Sequence, residues 1–267
     1  MADYEGQVIH RSRDRHGELV VADGALTRTL YFGKGTKQSS MFIDDPAALA
    51  MYYMRAMMSA LVFNGRPERA LFIGLGGGTT VKFLMRACPD CLIEAVEIRG
   101  EVIRLAHEYF ALPKNHPRVR IIHDDGRTYL LQARDEAGGR YDHIFVDAFD
   151  DSGPVASVTD PDFLRACRHC LGPSGVLTFD LWTGPEDDYA RHRDLIRSVF
   201  QGAILELVRR GTEDNALVFA FKDRSVPEGI GRWLPAARRL QSELSLNFSK
   251  FLEDMFGPAV SGGETPG

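Results

Sequence analysis

A chain of 267 residues, 44% hydrophobic and 26% charged, is long enough to bury a full-sized core as one large domain, or as one domain with a small appendage. A net charge of -5, with basic residues scattered apart from Arg11, Arg13 and Arg15, argues against a nucleic-acid partner. No run approaches the roughly 18 to 20 apolar residues of a membrane span, and residues 1–17 read as too polar for a signal peptide.

In chain order, residues 18–22 and 25–32 read as two strands joined at Asp23-Gly24, a pair suited to the positive φ of a type I′ hairpin turn. Residues 33–40, with their glycines and lysines, read as the loop that ends this region, giving a small β appendage over 1–45. Asp44 or Asp45 with Pro46 predicts a helix start, and good helix formers follow to Phe63. Met51, Met54, Met57 and Met58 at helical spacing predict core packing rather than a soft binding stripe.

After residue 67 the pattern alternates. Strands are expected over 70–74, 92–97, 119–123, 143–147 and 176–181, and helices over 79–87, 101–110, 128–134 and 161–170. That succession predicts an α/β fold, a Rossmann-like and mostly parallel sheet with right-handed crossovers and helices on both faces. A helix near 189–200 and strands near 203–209 and 216–221 complete seven strands, placing the main domain over 46–233. One amphipathic helix over 234–256 and a short tail fill 234–267.

Ligands of open parallel sheets bind outside the carboxyl ends of the strands. The first of these strands ends in Gly74, Leu75, Gly76, Gly77 and Gly78, a loop that lets a ligand approach main-chain N–H groups. Glu97, 19 residues past Gly78, ends the second and suits both hydroxyls of a ribose. Asp125 and Gly126 follow the third, where a carboxylate can accept from an adenine amino group beside a glycine that leaves room for the ring. Three such strand ends together point to an S-adenosyl cofactor.

The fourth strand ends in Asp147-Ala148-Phe149-Asp150-Asp151-Ser152-Gly153-Pro154. This loop resembles the D-S/A-x-D-P-x-G-P loop of the spermidine synthase (polyamine aminopropyltransferase) family, with Asp151 in place of its first proline. The resemblance spans about residues 38–221 and includes Gln38, Val96-Glu97-Ile98, Asp125-Gly126 and Tyr141-Asp142. It implies Asp147 as the base, Asp150 as the residue orienting a cationic amine, and Gln38 and Pro154 among the cofactor contacts. Independently, an amine nucleophile must lose a proton before attacking carbon beside a sulfonium, and a carboxylate at 147 suits that task. Asp124, Asp125, Asp147, Asp150, Asp151 and Asp180 would form an acidic mouth that concentrates small cations.

Two positions depart from the family. Gly77 stands where its members carry an aspartate, and Tyr52-Tyr53 where they carry Tyr-His or Tyr-Gln, the pair taken here as substrate contacts. The co-substrate is therefore decarboxylated S-adenosylmethionine or S-adenosylmethionine, with methyl transfer the alternative activity and a non-catalytic nucleoside-binding homologue a second. The resemblance also implies a cytoplasmic homodimer contacting through the N-terminal region. No metal is expected. The pairs Cys88/Cys91 and Cys167/Cys170 read as buried thiols, because with strand order 3-2-1-4-5 they fall on opposite faces of the sheet. Trp182, just past the fifth strand, could wall the acceptor pocket.

Overall fold

The structure, a computed structural model, describes residues 4–33, 35–136, 138–149, 155–183, 186–208, 215–223, 226 and 229–256. Four antiparallel strands come first: β1 (Gln7–Asp14), β2 (Gly17–Asp23), β3 (Thr27–Phe32) and β4 (Thr36–Phe42), paired in that order. The appendage is thus a meander, not a hairpin and a loop. Gly33 and Gly35, at φ 54° and 112°, reverse the chain early, and Thr36–Phe42 then pairs with β3 along its length. The polar residues that resemble a loop in sequence are satisfied in pairs; the hydroxyls of Thr29 and Ser40 meet at 2.8 Å while buried. The β2–β3 turn also differs from the expected type I′ turn. Asp23 stays in the ladder opposite Arg28, which it holds at 2.6 and 2.8 Å, and the Gly24 N–H bonds the Thr27 carbonyl across Ala25 and Leu26.

The single helix expected from Pro46 is two short ones, α1 (Tyr52–Met57) and α2 (Ala60–Asn64). Asp45 begins a turn, accepting from the Ala47 N–H at 3.2 Å, and Leu49 bridges back to Met41, which holds residues 46–51 out of the helix. Met54, Met57 and Met58 are buried in the core as the spacing predicts.

Alternation then runs as read: β5 (Arg69–Ile73), α3 (Thr79–Ala87), β6 (Leu92–Glu97), α4 (Gly100–Tyr109), β7 (Val119–His123), α5 (Gly126–Glu136) and β8 (Tyr141–Val146). A 3-10 turn (Ala156–Val158) precedes α6 (Pro161–Cys170), β9 (Leu171–Trp182), α7 (Glu186–Val199), β10 (Ile204–Val208) and β11 (Asn215–Phe221). The seven strands are ordered β10-β11-β9-β8-β5-β6-β7, with β11 antiparallel to both neighbours and the rest parallel. Aliphatic and aromatic side chains fill both faces, α1, α2 and α3 covering one and α5, α6 and α7 the other. Instead of one C-terminal helix there are two, α8 (Leu234–Leu244) and α9 (Phe248–Phe256), because Ser245 turns left-handed at φ 56°.

Cys88 and Cys91 lie in one core cluster and Cys167 and Cys170 in the other, all reduced and buried, so the two pairs cannot share an ion. Burial pushes the Cys88 thiol up to about 11. Among the described residues no helix is long and apolar enough to cross a membrane.

The two sheets meet over α4. Val102, Leu105 and Phe110 pack against Leu19, Leu30 and Phe32 of the meander. Arg99, only 5% exposed, fastens the join: its guanidinium donates to both Asp14 oxygens at 3.0 and 2.8 Å and to the Gly17 carbonyl, and lies 4.2 Å over the Phe32 ring.

Candidate active site

A cleft opens where the carboxyl ends of β5, β6 and β8 meet the start of α5, as expected for a parallel sheet whose order reverses at β5. Gly74, Gly76, Glu97, Asp125, Gly126 and Asp147 all line it, and Gln38 of β4 closes it from the N-terminal sheet.

Gly74 is fixed by backbone geometry. At φ 97° its missing Cβ would stand 1.9 Å from the Asp147 carbonyl oxygen, so the ends of β5 and β8 approach only because nothing occupies that space. The ladder continues across this point, with Gly74 N–H donating to the Val96 carbonyl and Asp147 N–H to that of Ile73, each at 2.9 Å. Asp147 is thereby held at the cleft with its side chain directed at α1.

Glu97 is buried, and both oxygens are engaged by main chain: one accepts from the Leu75 N–H at 3.0 Å and the other from the Arg99 N–H at 2.9 Å. Burial raises its pKa, and these N–H groups and the Arg99 charge work against that rise. The carboxylate is therefore pre-oriented at the cleft floor. Asp125 does two jobs. One oxygen caps α5 through the Thr128 N–H at 2.8 Å, and the other accepts from the Ser157 hydroxyl at 3.4 Å. Gly126 is required for packing, since a Cβ there would come within 2.5 Å of Ile73.

Asp147 has its carboxyl pushed up to about 6, first by burial, then moderated by a hydrogen bond from Tyr53, and raised further by the Glu97 charge. The Tyr53 hydroxyl donates to Asp147 Oδ2 at 3.2 Å. Replacing Tyr53 by phenylalanine removes the one influence that lowers this pKa. A hydrogen bond of about 1 kcal/mol corresponds to a rise of somewhat under one unit. A ¹³C-carboxyl titration of Asp147 in Tyr53→Phe is expected to move to higher pH; an unmoved or lower midpoint contradicts the assigned bond.

Other expected residues stand elsewhere. The Tyr52 hydroxyl is bonded to Asp254 of α9 at 3.2 Å and its ring packs edge-on against Phe251, outside the cleft lining. Gly77 and Gly78 turn away from the cleft. A side chain at 77 would run into Phe110, 2.7 Å away, and one at 78 would meet Leu112. Phe110 is held there by the buried Lys82, which donates to its carbonyl. Asp180 is buried on β9 and accepts from the Asn215 amide at 2.9 and 3.1 Å. Trp182 is 40% exposed at the end of β9. Asp150, Asp151, Gly153 and Pro154 lie outside the described residues.

Sequence reasoning missed Phe32, Arg99 and Ser157, all in the cleft wall. For Arg99 the signal was present: an arginine two positions past the strand-end acid Glu97 is an unusual charge beside a pocket. Phe32 and Ser157 carried none, because their approach depends on how distant segments dock. Among the described residues no group of three or more His, Cys, Asp or Glu is arranged to hold a metal ion.

A buried, pre-oriented acid, a glycine-walled backbone and a second carboxylate poised near neutrality can together hold a nucleoside and accept a proton beside it. Residues 51–186 match the family model for the spermine/spermidine synthase domain. The chain is 34% identical to the polyamine aminopropyltransferase of Chromobacterium violaceum over 238 residues, covering 88% of each chain. It is 31% identical to the enzyme of the same name from Neisseria meningitidis over 253 residues, 94% of each. A solved spermidine synthase in complex with the transition state analogue AdoDATO superimposes with a TM-score of 0.75 at 18% identity, covering 94% of this chain and 85% of that one, which is a likeness of fold.

Proposed function

The chain belongs to the spermine/spermidine synthase family, and on that premise we propose that it is an aminopropyltransferase moving the aminopropyl group of decarboxylated S-adenosylmethionine to a small amine. The observation that carries this reading is the Asp147 carboxyl, half-buried in the same cleft as Glu97 and lifted to about 6.

In this reading Glu97 takes the ribose hydroxyls, and Asp125 takes the adenine amino group above Gly126. The main chain of Gly74 to Gly76 and Gln38 border the rest of the donor, with Pro154 expected to join them. The donor supplies a carbon activated by a positively charged sulfur leaving group. Asp147 accepts a proton from the acceptor ammonium, freeing the nitrogen lone pair; nitrogen bonds to that carbon as the C–S bond breaks, and its electrons neutralise the sulfur. A pKa near 6 leaves Asp147 mostly ionised at neutral pH, yet closer to the amine's pKa than an ordinary aspartate would be. Asp150 is expected to hold the far end of the acceptor.

Methyl transfer draws its support from Gly77, where a carboxylate that would repel that of S-adenosylmethionine is missing, and from Tyr53. Phe110 and Ser39 occupy the direction in which a side chain at 77 would project, so Gly77 adds no space for a larger donor. Calorimetric titration of the protein with each donor tests the choice. The decarboxylated form is expected to bind about tenfold or more tightly than the carboxylated one, a difference of about 1.4 kcal/mol. The reverse preference would sink aminopropyl transfer.

A further inference from the structure

The sheet has a second end, and it is as basic as the cleft is acidic. At the amino ends of β5, β6 and β7 and the start of β8 lies a groove of about 230 Å³, bordered by Arg69, Arg118, Arg120, Arg140, Glu94 and Leu92. Parallel register sets Arg69 beside Leu92 and Glu94 beside Arg120. Since side chains alternate along a strand, these four share one face.

The charges there do not balance. Glu94 is the one carboxylate in the wall, and it is already engaged: Arg140 donates to its two oxygens at 2.9 and 2.7 Å, the Tyr141 hydroxyl at 2.7 Å, and Arg120 at 3.4 Å. Asp142, just outside, accepts from the main-chain N–H groups of Glu68 and Arg69 at 2.8 and 3.0 Å. Arg118 is fixed by the Cys88 and Cys91 carbonyls at 3.3 and 3.1 Å. Neither Arg118 nor Arg69 has an ion-pair partner among the described residues. Four guanidiniums therefore border one groove whose single carboxylate is already bonded by two of them, in a chain whose net charge is -5. Like charges gathered this way repel one another.

Guanidinium forks match phosphoryl oxygens in geometry, and several together offset more than one negative charge. We propose that this groove is a binding site for a phosphate-bearing small anion, with Arg69 and Arg118 contacting phosphoryl oxygens and Arg120 at the rim. The site lies a strand length, roughly 16 Å, from the nucleoside cleft, so an occupant would tie the starts of four strands together without touching the reacting atoms.

The test is calorimetric titration of the full chain with inorganic pyrophosphate and, separately, with ATP, at fixed ionic strength. Saturable millimolar or tighter binding of pyrophosphate is expected. It should weaken about tenfold or more in the double variant Arg69→Gln, Arg120→Gln, whose side chains are exposed and whose loss leaves Glu94 paired with Arg140 and Tyr141. ATP binding that is tighter than that of pyrophosphate and weakens in the double variant makes the occupant a nucleotide, and equal or weaker binding makes it the phosphate group alone. Binding unchanged in the double variant, or no saturable binding of either anion, overturns the site. Turnover measured on the same double variant separates this result from any failure of the aminopropyl reading.

Discussion

Replacing Asp147 by asparagine is expected to lower turnover by roughly 10² to 10⁴-fold, the range lost with a positioned proton acceptor. Asparagine keeps the shape and an oxygen that can still accept from Tyr53, so donor affinity should change little. A product assay beside calorimetry of donor binding reads both quantities. Turnover within about tenfold of the parent would remove Asp147 from the reaction. A stability signature accompanies the loss. Because the folded pKa, about 6, lies above the ordinary value of 3.8, the native state holds the extra proton between those two values, and the contribution of Asp147 to stability falls as pH rises through that window. The variant should therefore melt higher than the parent near pH 8, with that advantage gone near pH 3.

Substituting alanine for Gly74 should be the most damaging single methyl in the cleft. A left-handed residue with a Cβ costs about 1 to 2 kcal/mol, and here the added carbon would stand 1.9 Å from the Asp147 carbonyl oxygen, too close to tolerate. The ends of β5 and β8 must part, and Asp147 moves with them. A loss of at least about 3 kcal/mol in denaturant unfolding is expected, with activity falling further than the folded fraction alone explains. Gly65 offers the contrast. Its φ is 73°, but no atom lies within 4 Å of where a Cβ would be, so alanine there costs only the backbone term. Equal losses at the two positions would show that crowding against Asp147 is unimportant.

Much of the main sheet was legible because most of its strands carry a short apolar run followed by its own punctuation. Glu97, Asp125 and Asp147 could be placed at one mouth from chain order alone, since a parallel sheet brings all its carboxyl ends together. The N-terminal region resisted for a physical reason. Thr36–Phe42 is polar by composition, and its Ser39 and Ser40 are buried only because β3 and the glycine loop come to meet them. Gly77 is a related case. The missing carboxylate is legible in the sequence, whereas the crowding by Phe110, 33 positions further on, is not. Asp125 shows the opposite case, a residue whose capping role was not foreseen beside the nucleoside role the sequence suggested.

Arg99 gives the cleft an unusual construction. Most of its wall belongs to the parallel sheet, but Phe32 and Gln38 come from a separately hydrogen-bonded meander, so the pocket is a seam rather than a hole in one solid. Its width depends on a clamp, the guanidinium of Arg99 seated on Asp14 and Phe32. Loosening the clamp would spread the seam while leaving both sheets whole. On the proposed reading, a change at Arg99 is expected to weaken the grip on the donor before it unfolds either sheet.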